Sequence, residues 1–279
     1  MRRRVIVALG FVLLSGAGVV HAAPPAAAPY YLALGDSLAR GIQPTATGAL
    51  VETRQGYVDD LYAVLRFRQP SLRLAKLGCS GETTTTMIGG GVCTYAGGTQ
   101  LADAVQFLQT HRVALVTLSI GGDNILHCFS LTGIDAACVQ DGLDAVASDL
   151  PQILGILRAA AGPGVPIVAM NYYDPFLAAA TLGPQGQALA AASLQITHTL
   201  NALLTNLYFA FNVRVADVAR AFRIDDTTLV PFYNVPLNVL LEFAWTWIGA
   251  QPPVGPDIHP NALGYAVIAG AFVQALGAP

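Results

Sequence analysis

The sequence contains little charge. Only 11% of its 279 residues are Asp, Glu, Lys or Arg, whereas about a quarter is typical of soluble domains. Lys76 is the only lysine, and the formal net charge at pH 7 is −3. Because nucleic-acid binding needs a positively charged surface, we expect no nucleic-acid partner.

A long apolar run of the kind that spans a membrane is also missing. The apolar segment Val5 to Val20 is interrupted by Ser15 and is shorter than the roughly 20 residues of a membrane-spanning helix. It follows Met1-Arg2-Arg3-Arg4 and precedes the small residues Ala22 and Ala23, as in a cleaved secretory signal. An uncleaved anchor is the alternative.

These features divide the chain into three parts. We predict a signal peptide over residues 1–23, a flexible Pro- and Ala-rich leader over 24–29, and a single folded domain over 30–279. The expected product is a secreted or extracytoplasmic monomer without stable membrane insertion after cleavage.

The four cysteines, Cys79, Cys93, Cys128 and Cys138, show no Cys-x-x-Cys spacing. An even number of cysteines in an exported chain favours disulfides, and three pairings are possible. We expect the pairing that is local in sequence, Cys79 with Cys93 and Cys128 with Cys138. Zinc is the competing interpretation, but the histidines are scattered, so we expect no metal.

Apolar strand patterns alternate with helical patterns along the whole chain. A parallel sheet with helices on both faces, an α/β fold, follows from this alternation. The predicted strands are Tyr31 to Leu34, Leu72 to Leu77, Val113 to Ile120, Pro166 to Met170 and Val213 to Ala216. The predicted helices are Gly56 to Arg68, Gln100 to His111, Leu143 to Ala161, Leu189 to Phe211 and Asn261 to Leu276.

Three of the strands end in glycine-rich polar loops. The first loop is Gly35-Asp36-Ser37-Leu38, the second is Gly78 to Thr83, and the third is Gly121-Gly122-Asp123-Asn124. Ligands of parallel sheets bind beyond the carboxyl ends of the strands. These loops therefore predict a functional site, in which Ser37 is the candidate nucleophile.

The same residues resemble the GDSL, or SGNH, hydrolase family of serine esterases and lipases. Gly35-Asp36-Ser37-Leu38 matches its nucleophile block letter for letter, Ser80-Gly81-Glu82-Thr83 resembles its second block, and Asp257-Ile258-His259-Pro260-Asn261 resembles its last. The resemblance implies a three-layer α/β/α, flavodoxin-like fold with a central parallel sheet and no cofactor. It also implies that Ser37 and Gly81 supply backbone N–H groups to the oxyanion hole.

A serine hydroxyl needs a base within hydrogen-bond reach, and His259 is the best-placed candidate. Asp257 is the nearest carboxylate that could orient His259. The family's last block is commonly Asp-x-x-His, however, and here the aspartate lies one place closer to the histidine. A main-chain carbonyl near Trp245 to Trp247 is therefore the alternative partner of His259.

The third block departs from the family pattern. It is normally Gly-x-Asn-Asp, with the asparagine donating to the oxyanion, whereas this chain has Asp123 before Asn124. An ionised Asp123 cannot donate and would repel an oxyanion. We expect Asn124 to reach the hole by a local shift; a neutral Asp123 or impaired activity are the alternatives.

The sequence thus predicts a secreted serine ester hydrolase that forms an acyl-enzyme on Ser37. Deacetylation of a carbohydrate and hydrolysis of an acyl lipid are both open as its reaction. The inverted Asp123-Asn124 pair motivates a rival prediction, a catalytically weak relative that binds envelope glycans or lipids. His111 and His198 are expected to be structural or solvated, and His127 is expected to lie outside the cleft.

Overall fold

A central sheet of five parallel strands organises the fold. The structure is a computed structural model that describes residues 28–130 and 133–277. The predicted signal peptide and most of the predicted leader lie outside the described residues. Pro29, at the end of that leader, is buried, and its carbonyl accepts a hydrogen bond from the Arg73 N–H at 2.9 Å.

The elements are numbered in chain order. The strands are β1 (Tyr30–Gly35), β2 (Ile42–Pro44), β3 (Leu50–Glu52), β4 (Arg73–Lys76), β5 (Val113–Ser119), β6 (Phe129–Ser130), β7 (Gly133–Ile134), β8 (Ile167–Met170), β9 (Arg214–Ala216), β10 (Leu229–Val230), β11 (Val235–Pro236), β12 (Thr246–Trp247) and β13 (Asp257–Pro260). The α-helices are α1 (Ser37–Arg40), α2 (Tyr57–Arg68), α3 (Thr84–Gly89), α4 (Gln100–Thr110), α5 (Asp123–Leu126), α6 (Ala136–Ala161), α7 (Gly183–Ala210), α8 (Val218–Ala221), α9 (Leu237–Trp245) and α10 (Ala262–Ala275).

The sheet has the strand order β4-β1-β5-β8-β9, and its paired strands are parallel. The first strand of the sheet is thus flanked by the second and the third, which is the flavodoxin-like order. The chain reverses its direction of winding between β1 and β5, and ligands bind at such a switch point. The predicted α/β/α fold is confirmed.

Helices cover both faces of the sheet. Helices α2 and α10 pack together on one face, where Tyr57 stacks on Phe272 with ring centroids 4.7 Å apart. Helices α4, α6 and α7 form the layer on the other face. Strand β5 is almost entirely buried, as its apolar sequence predicts for a strand covered on both faces. In the part of the chain that the structure describes, no helix has the length and apolar character needed to cross a membrane.

Two helices begin earlier than the sequence pattern predicts. Helix α6 begins at Ala136 rather than Leu143, because the Asp135 carboxylate accepts the Cys138 N–H and caps an additional polar turn. Helix α7 begins at Gly183 rather than Leu189. In both cases the first turns are too polar or too rich in glycine to show an apolar period.

Helices α3 and α9 were not predicted, and neither were the four-residue helices α1, α5 and α8. Helix α3 lies in a threonine-rich stretch, and the Thr83 hydroxyl caps it by accepting the Thr86 N–H at 3.1 Å. Helix α9 lies in a segment without clear periodicity, between two short hairpins.

The predicted disulfide pairing is confirmed. Cys79 is bonded to Cys93, and Cys128 is bonded to Cys138. The first bridge closes the loop that follows β4 across α3, and the second ties the β6 hairpin to the first turn of α6. Both bridges therefore fix loops at the carboxyl edge of the sheet.

Gly35, the last residue of β1, lies so close to β5 that a side chain there should destabilise the protein. It has a φ of +122°, and a Cβ added there would lie 1.9 Å from the Ser119 carbonyl oxygen. We expect Gly35→Ala to lower the free energy of unfolding by about 2–4 kcal/mol, as measured by urea denaturation.

Gly270→Ala in α10 is the matched control. Apart from its chain neighbours and the backbone of its own helix, no atom of the described residues lies within 4 Å of the added carbon. We expect the variant to be more stable by about 0.5–1 kcal/mol because alanine favours a helix. Wild-type stability of Gly35→Ala would contradict the close approach of β1 and β5.

Candidate active site

Ser37 lies at the carboxyl edge of the sheet because of how β1 ends. Gly35 takes a backbone conformation that side chains disfavour, and the Asp36 N–H donates to the Ser119 carbonyl at 2.8 Å. The Asp36 carboxylate then accepts the Leu38 N–H at 3.0 Å and caps helix α1. Ser37 is the first residue of that helix, and its side chain lines a pocket.

His259 reaches Ser37 from the other end of the chain. Its Nε2 lies 2.9 Å from the Ser37 Oγ. His259 belongs to β13, which ends where Asn261 caps helix α10 by accepting the N–H groups of Leu263 and Gly264. The Asn261 side chain also donates to the Ala244 carbonyl at 2.8 Å, so the end of α9 holds the histidine strand in place.

Asp257 lies against the other ring nitrogen of His259. Its Oδ1 is 2.9 Å from His259 Nδ1 and also accepts the His259 backbone N–H at 3.0 Å. The Trp245 carbonyl, which lies in the segment that was the alternative partner, accepts the Asn261 N–H instead. The structure therefore brings Asp257 to the histidine despite the shortened spacing.

These contacts fix the tautomer of His259. Nδ1 faces a carboxylate and therefore carries the proton, which leaves Nε2 as an acceptor for the Ser37 O–H. Asp257, His259 and Ser37 form a continuous hydrogen-bonded chain whose last atom is a hydroxyl oxygen. A hydroxyl in this arrangement can give up its proton as it attacks an electrophile.

The backbone N–H groups of Ser37 and Gly81 donate to no acceptor among the described residues. Gly81 has a φ of +82° and is exposed, and an added Cβ would meet only Val92, at 3.9 Å. A glycine is therefore favoured at position 81 because of its positive φ, and not because a side chain would lack space there. Gly81 itself does not line the pocket that contains Ser37.

Asn124 does not face this pocket, contrary to the sequence expectation. Its Oδ1 accepts the Thr84 N–H at 3.0 Å, and its Nδ2 donates to the Thr84 hydroxyl at 2.9 Å. The carboxamide is buried against α3, and the local shift that would bring it to the oxyanion is not present. Successive residues of a helix point in directions about 100° apart, so only one of the pair can face the pocket.

Asp123 is the member of the pair that lines the pocket with Ser37 and His259. Burial, together with the nearby acidic groups of Asp36 and Glu82, raises the pKa of its carboxyl to about 7. A carboxyl group therefore stands at the position where the family pattern has an amide.

The wall of the pocket is mostly apolar. Its apolar and aromatic residues are Leu38, Ile125, Leu126, Phe129, Tyr172, Tyr173, Pro175, Phe176, Leu200 and Ile258. Phe129 and Phe176 stack with ring centroids 4.5 Å apart. Phe129 directly follows Cys128, so a disulfide fixes this part of the wall to α6.

Sequence reasoning missed most of this wall. Tyr172 and Phe176 follow β8 at the same edge of the sheet as the three glycine loops, and this position was the signal that could have identified them. The Tyr172 hydroxyl donates to Asp36 Oδ2 at 2.6 Å. Leu200 comes from the middle of α7, where nothing in the sequence distinguishes a pocket residue from a core residue.

The other three histidines within the described residues have ordinary surroundings. His111 Nδ1 lies 2.9 Å from the Thr110 hydroxyl, and His198 Nε2 lies 2.9 Å from the Asp225 carboxylate. His127 is exposed and does not line the pocket of Ser37.

One group of side chains has the composition of a metal site. His127 lies close to Cys128 and Cys138, but the two sulfurs are bonded to each other. Zinc binds cysteine as the thiolate, so this group does not offer a zinc ligand set.

Comparisons with known protein sequences bear on the family of this chain. The sequence profile of the GDSL-like Lipase/Acylhydrolase family matches residues 33–267. A search of curated protein sequences gives no significant match.

Solved structures share the fold at low identity. A putative GDSL-like lipase from Parabacteroides merdae is 14% identical with a TM-score of 0.59, and the alignment covers 90% of this chain and 96% of that one. An extracellular lipase from Streptomyces rimosus is 18% identical with a TM-score of 0.56, covering 90% and 99%. An acetylxylan esterase from Geobacillus stearothermophilus is 19% identical with a TM-score of 0.54, covering 90% and 95%.

The family profile spans most of the folded part of the chain and includes the strand end that carries Ser37 and the strand that carries His259. The chain belongs to the GDSL-like lipase/acylhydrolase family.

Proposed function

We propose that this protein hydrolyses carboxylic esters through an acyl-enzyme on Ser37. The observation that carries the proposal is the hydrogen-bonded chain from Asp257 through His259 to Ser37, with 2.9 Å at each step. Ser37 and His259 both line a largely apolar pocket that can hold an ester substrate, and membership of a lipase and acylhydrolase family agrees with this chemistry.

The reaction has two halves. Ser37 Oγ attacks the ester carbonyl carbon while His259 Nε2 takes its proton; the tetrahedral adduct then expels the alcohol, to which His259 returns the proton. In the second half, water gives its proton to His259 and attacks the acyl-enzyme, which releases the carboxylic acid and restores the Ser37 hydroxyl. Asp257 holds the imidazole in the correct tautomer and stabilises the imidazolium.

The oxyanion of each tetrahedral adduct needs donors that are already in place. The unpaired N–H groups of Ser37 and Gly81 are the backbone candidates for this role. A single preorganised donor is worth about 2.7–4 kcal/mol in other hydrolases, so two N–H groups without an acceptor support an acyl-transfer role for this site.

The apolar wall favours an apolar acyl group over a sugar as the part of the substrate that enters the pocket. Leu126, Phe129, Phe176, Leu200 and Ile258 offer surface to a hydrocarbon chain and no hydrogen bonds to a carbohydrate. Of the two reactions that the sequence left open, hydrolysis of acyl-chain esters is therefore the better supported. The two disulfides suit an exported enzyme.

Replacement of Ser37 tests whether it is the nucleophile. Ser37→Ala is expected to reduce hydrolysis of p-nitrophenyl butyrate to background, because no other hydroxyl lies within hydrogen-bond distance of His259 Nε2 among the described residues. Ser71→Ala, an exposed serine before β4 at the opposite edge of the sheet, is the control and should retain full activity.

Background activity of the folded wild-type enzyme, equal to that of Ser37→Ala, would reject the esterase proposal. It would favour a catalytically inert relative that binds envelope glycans or lipids.

A second prediction concerns the carboxylate. Asp257→Asn should lower kcat by about 10²–10⁴-fold with little change in KM, because an amide no longer selects the productive tautomer of His259. Asp225→Asn disturbs the other Asp–His contact, which lies outside the pocket, and serves as the matched control. Wild-type kcat for Asp257→Asn would show that another group orients the histidine.

A third prediction concerns chain length. Leu126→Trp fills part of the pocket and is expected to lower kcat/KM for p-nitrophenyl octanoate at least about 10-fold relative to p-nitrophenyl acetate. Leu182→Trp is the control, since Leu182 is 67% exposed and does not line the pocket. An unchanged ratio for Leu126→Trp would place the acyl chain elsewhere.

A further inference from the structure

The side chain of Asp123 occupies an unusual position. It lines the pocket that contains Ser37 and His259 at the exit of β5, the strand next to β1. Within the described part of the chain, its carboxyl group makes no hydrogen bond. A polar group that faces a largely apolar pocket without a partner is costly unless a ligand satisfies it.

Asp123 also lacks a cationic partner. The acidic groups that act on it are Asp36, from the turn after β1, and Glu82, from the loop after β4. The Asp36 carboxylate already accepts hydrogen bonds from Ser119 and Tyr172. Glu82 accepts hydrogen bonds from Gln100 at 2.9 Å and, more weakly, from Tyr95 at 3.4 Å.

The remaining elements around Asp123 supply no counter-charge except the active-site histidine. From the β8 exit loop, Tyr172 and Tyr173 face it with neutral hydroxyls, and their pKa values are raised by burial. From α6, Asp149 is turned to the hydroxyls of Thr84 and Thr85. His259 also lines the pocket and is hydrogen-bonded to Asp257.

We propose that Asp123 works as a neutral carboxylic acid whose O–H donates a hydrogen bond to the oxyanion formed by attack of Ser37. The proposal rests on the esterase function proposed above and assigns a further catalytic residue to it. No proton is transferred in this role: the O–H stays on Asp123 while the negative charge develops and collapses on the substrate oxygen.

The effect of Asp123 on the oxyanion depends on its protonation state. A protonated carboxyl is a stronger donor than an amide N–H and fits the position where the family pattern has asparagine. An ionised carboxylate has no donor and repels the oxyanion. The same side chain therefore supports the reaction when it is protonated and opposes it when it is ionised.

The direction of the pH dependence follows. Because burial raises the pKa of Asp123 to about 7, the donor is present below this pH and is lost as the pH rises through it. With this pKa the protonated fraction falls from about one half at pH 7 to roughly one part in a hundred at pH 9. Because loss of one oxyanion donor costs about 10²–10³-fold in other hydrolases, the rate is expected to follow the protonated fraction over this range.

The test compares variants with wild type at each pH, so that pH effects common to all of them cancel. Asp123→Asn carries a permanent amide donor without charge. We expect the ratio of its kcat/KM to that of wild type, with p-nitrophenyl butyrate, to rise about 10²-fold from pH 6 to pH 9. Asp141→Asn, an exposed aspartate on α6, is the control, and its ratio should be independent of pH.

Asp123→Ala separates donation from simple removal of charge. The alanine side chain has neither a hydrogen-bond donor nor a charge, so this variant should be slower than wild type at pH 6, where wild type has its donor. A ratio for Asp123→Asn that is the same at all pH values, or an Asp123→Ala variant faster than wild type at pH 6, would overturn the proposal. Thermal unfolding of each variant identifies any loss that comes from misfolding.

A failure of the Asp123 proposal can be distinguished from a failure of the esterase proposal. If wild type and Ser37→Ala are equally inactive, the esterase function is rejected before Asp123 is tested. If wild type is active but the ratio of kcat/KM between Asp123→Asn and wild type does not change with pH, the esterase function is retained and the role of Asp123 is rejected.

Discussion

The buried carboxylate of Asp36 is the interaction on which the site depends. Its Oδ1 accepts hydrogen bonds from the Leu38 N–H and the Ser119 hydroxyl, and its Oδ2 accepts one from the Tyr172 hydroxyl. These donors come from the exits of β1, β5 and β8, so a single side chain joins three strand ends. Burial alone raises the pKa of Asp36, and the three donors oppose that effect by stabilising its charge.

The same junction determines which residue enters the pocket after β5. A Cβ added to Gly122 would lie 2.8 Å from the Tyr172 ring, so the chain passes directly against the residue that Asp36 holds. Asp123 is the next residue, and the helix that begins with it turns Asn124 away to Thr84. Backbone packing, rather than side-chain polarity, therefore determines that Asp123 and not Asn124 lines the pocket.

This explains what the sequence could predict and what it could not. The sheet, the loop of Ser37 and the block around His259 were predictable because each is a local pattern that follows a strand or precedes a helix. The orientation of Asn124 was not, because its partner Thr84 lies in a helix whose threonine-rich sequence has no apolar period. The apolar wall was equally hidden, since Leu200 is one of many leucines in α7 and acquires its role only from tertiary contacts.

The contact between Ser37 and His259 joins positions that are 222 residues apart in the chain. The serine follows β1, the first strand of the sheet in chain order, whereas the histidine strand β13 lies between α9 and α10. A chain synthesised only as far as α9 therefore contains Ser37 but not His259. The hydrogen bond to the Ser37 hydroxyl can form only after β13 has been added and packed, so the proposed nucleophile has no proposed base while the chain is unfolded.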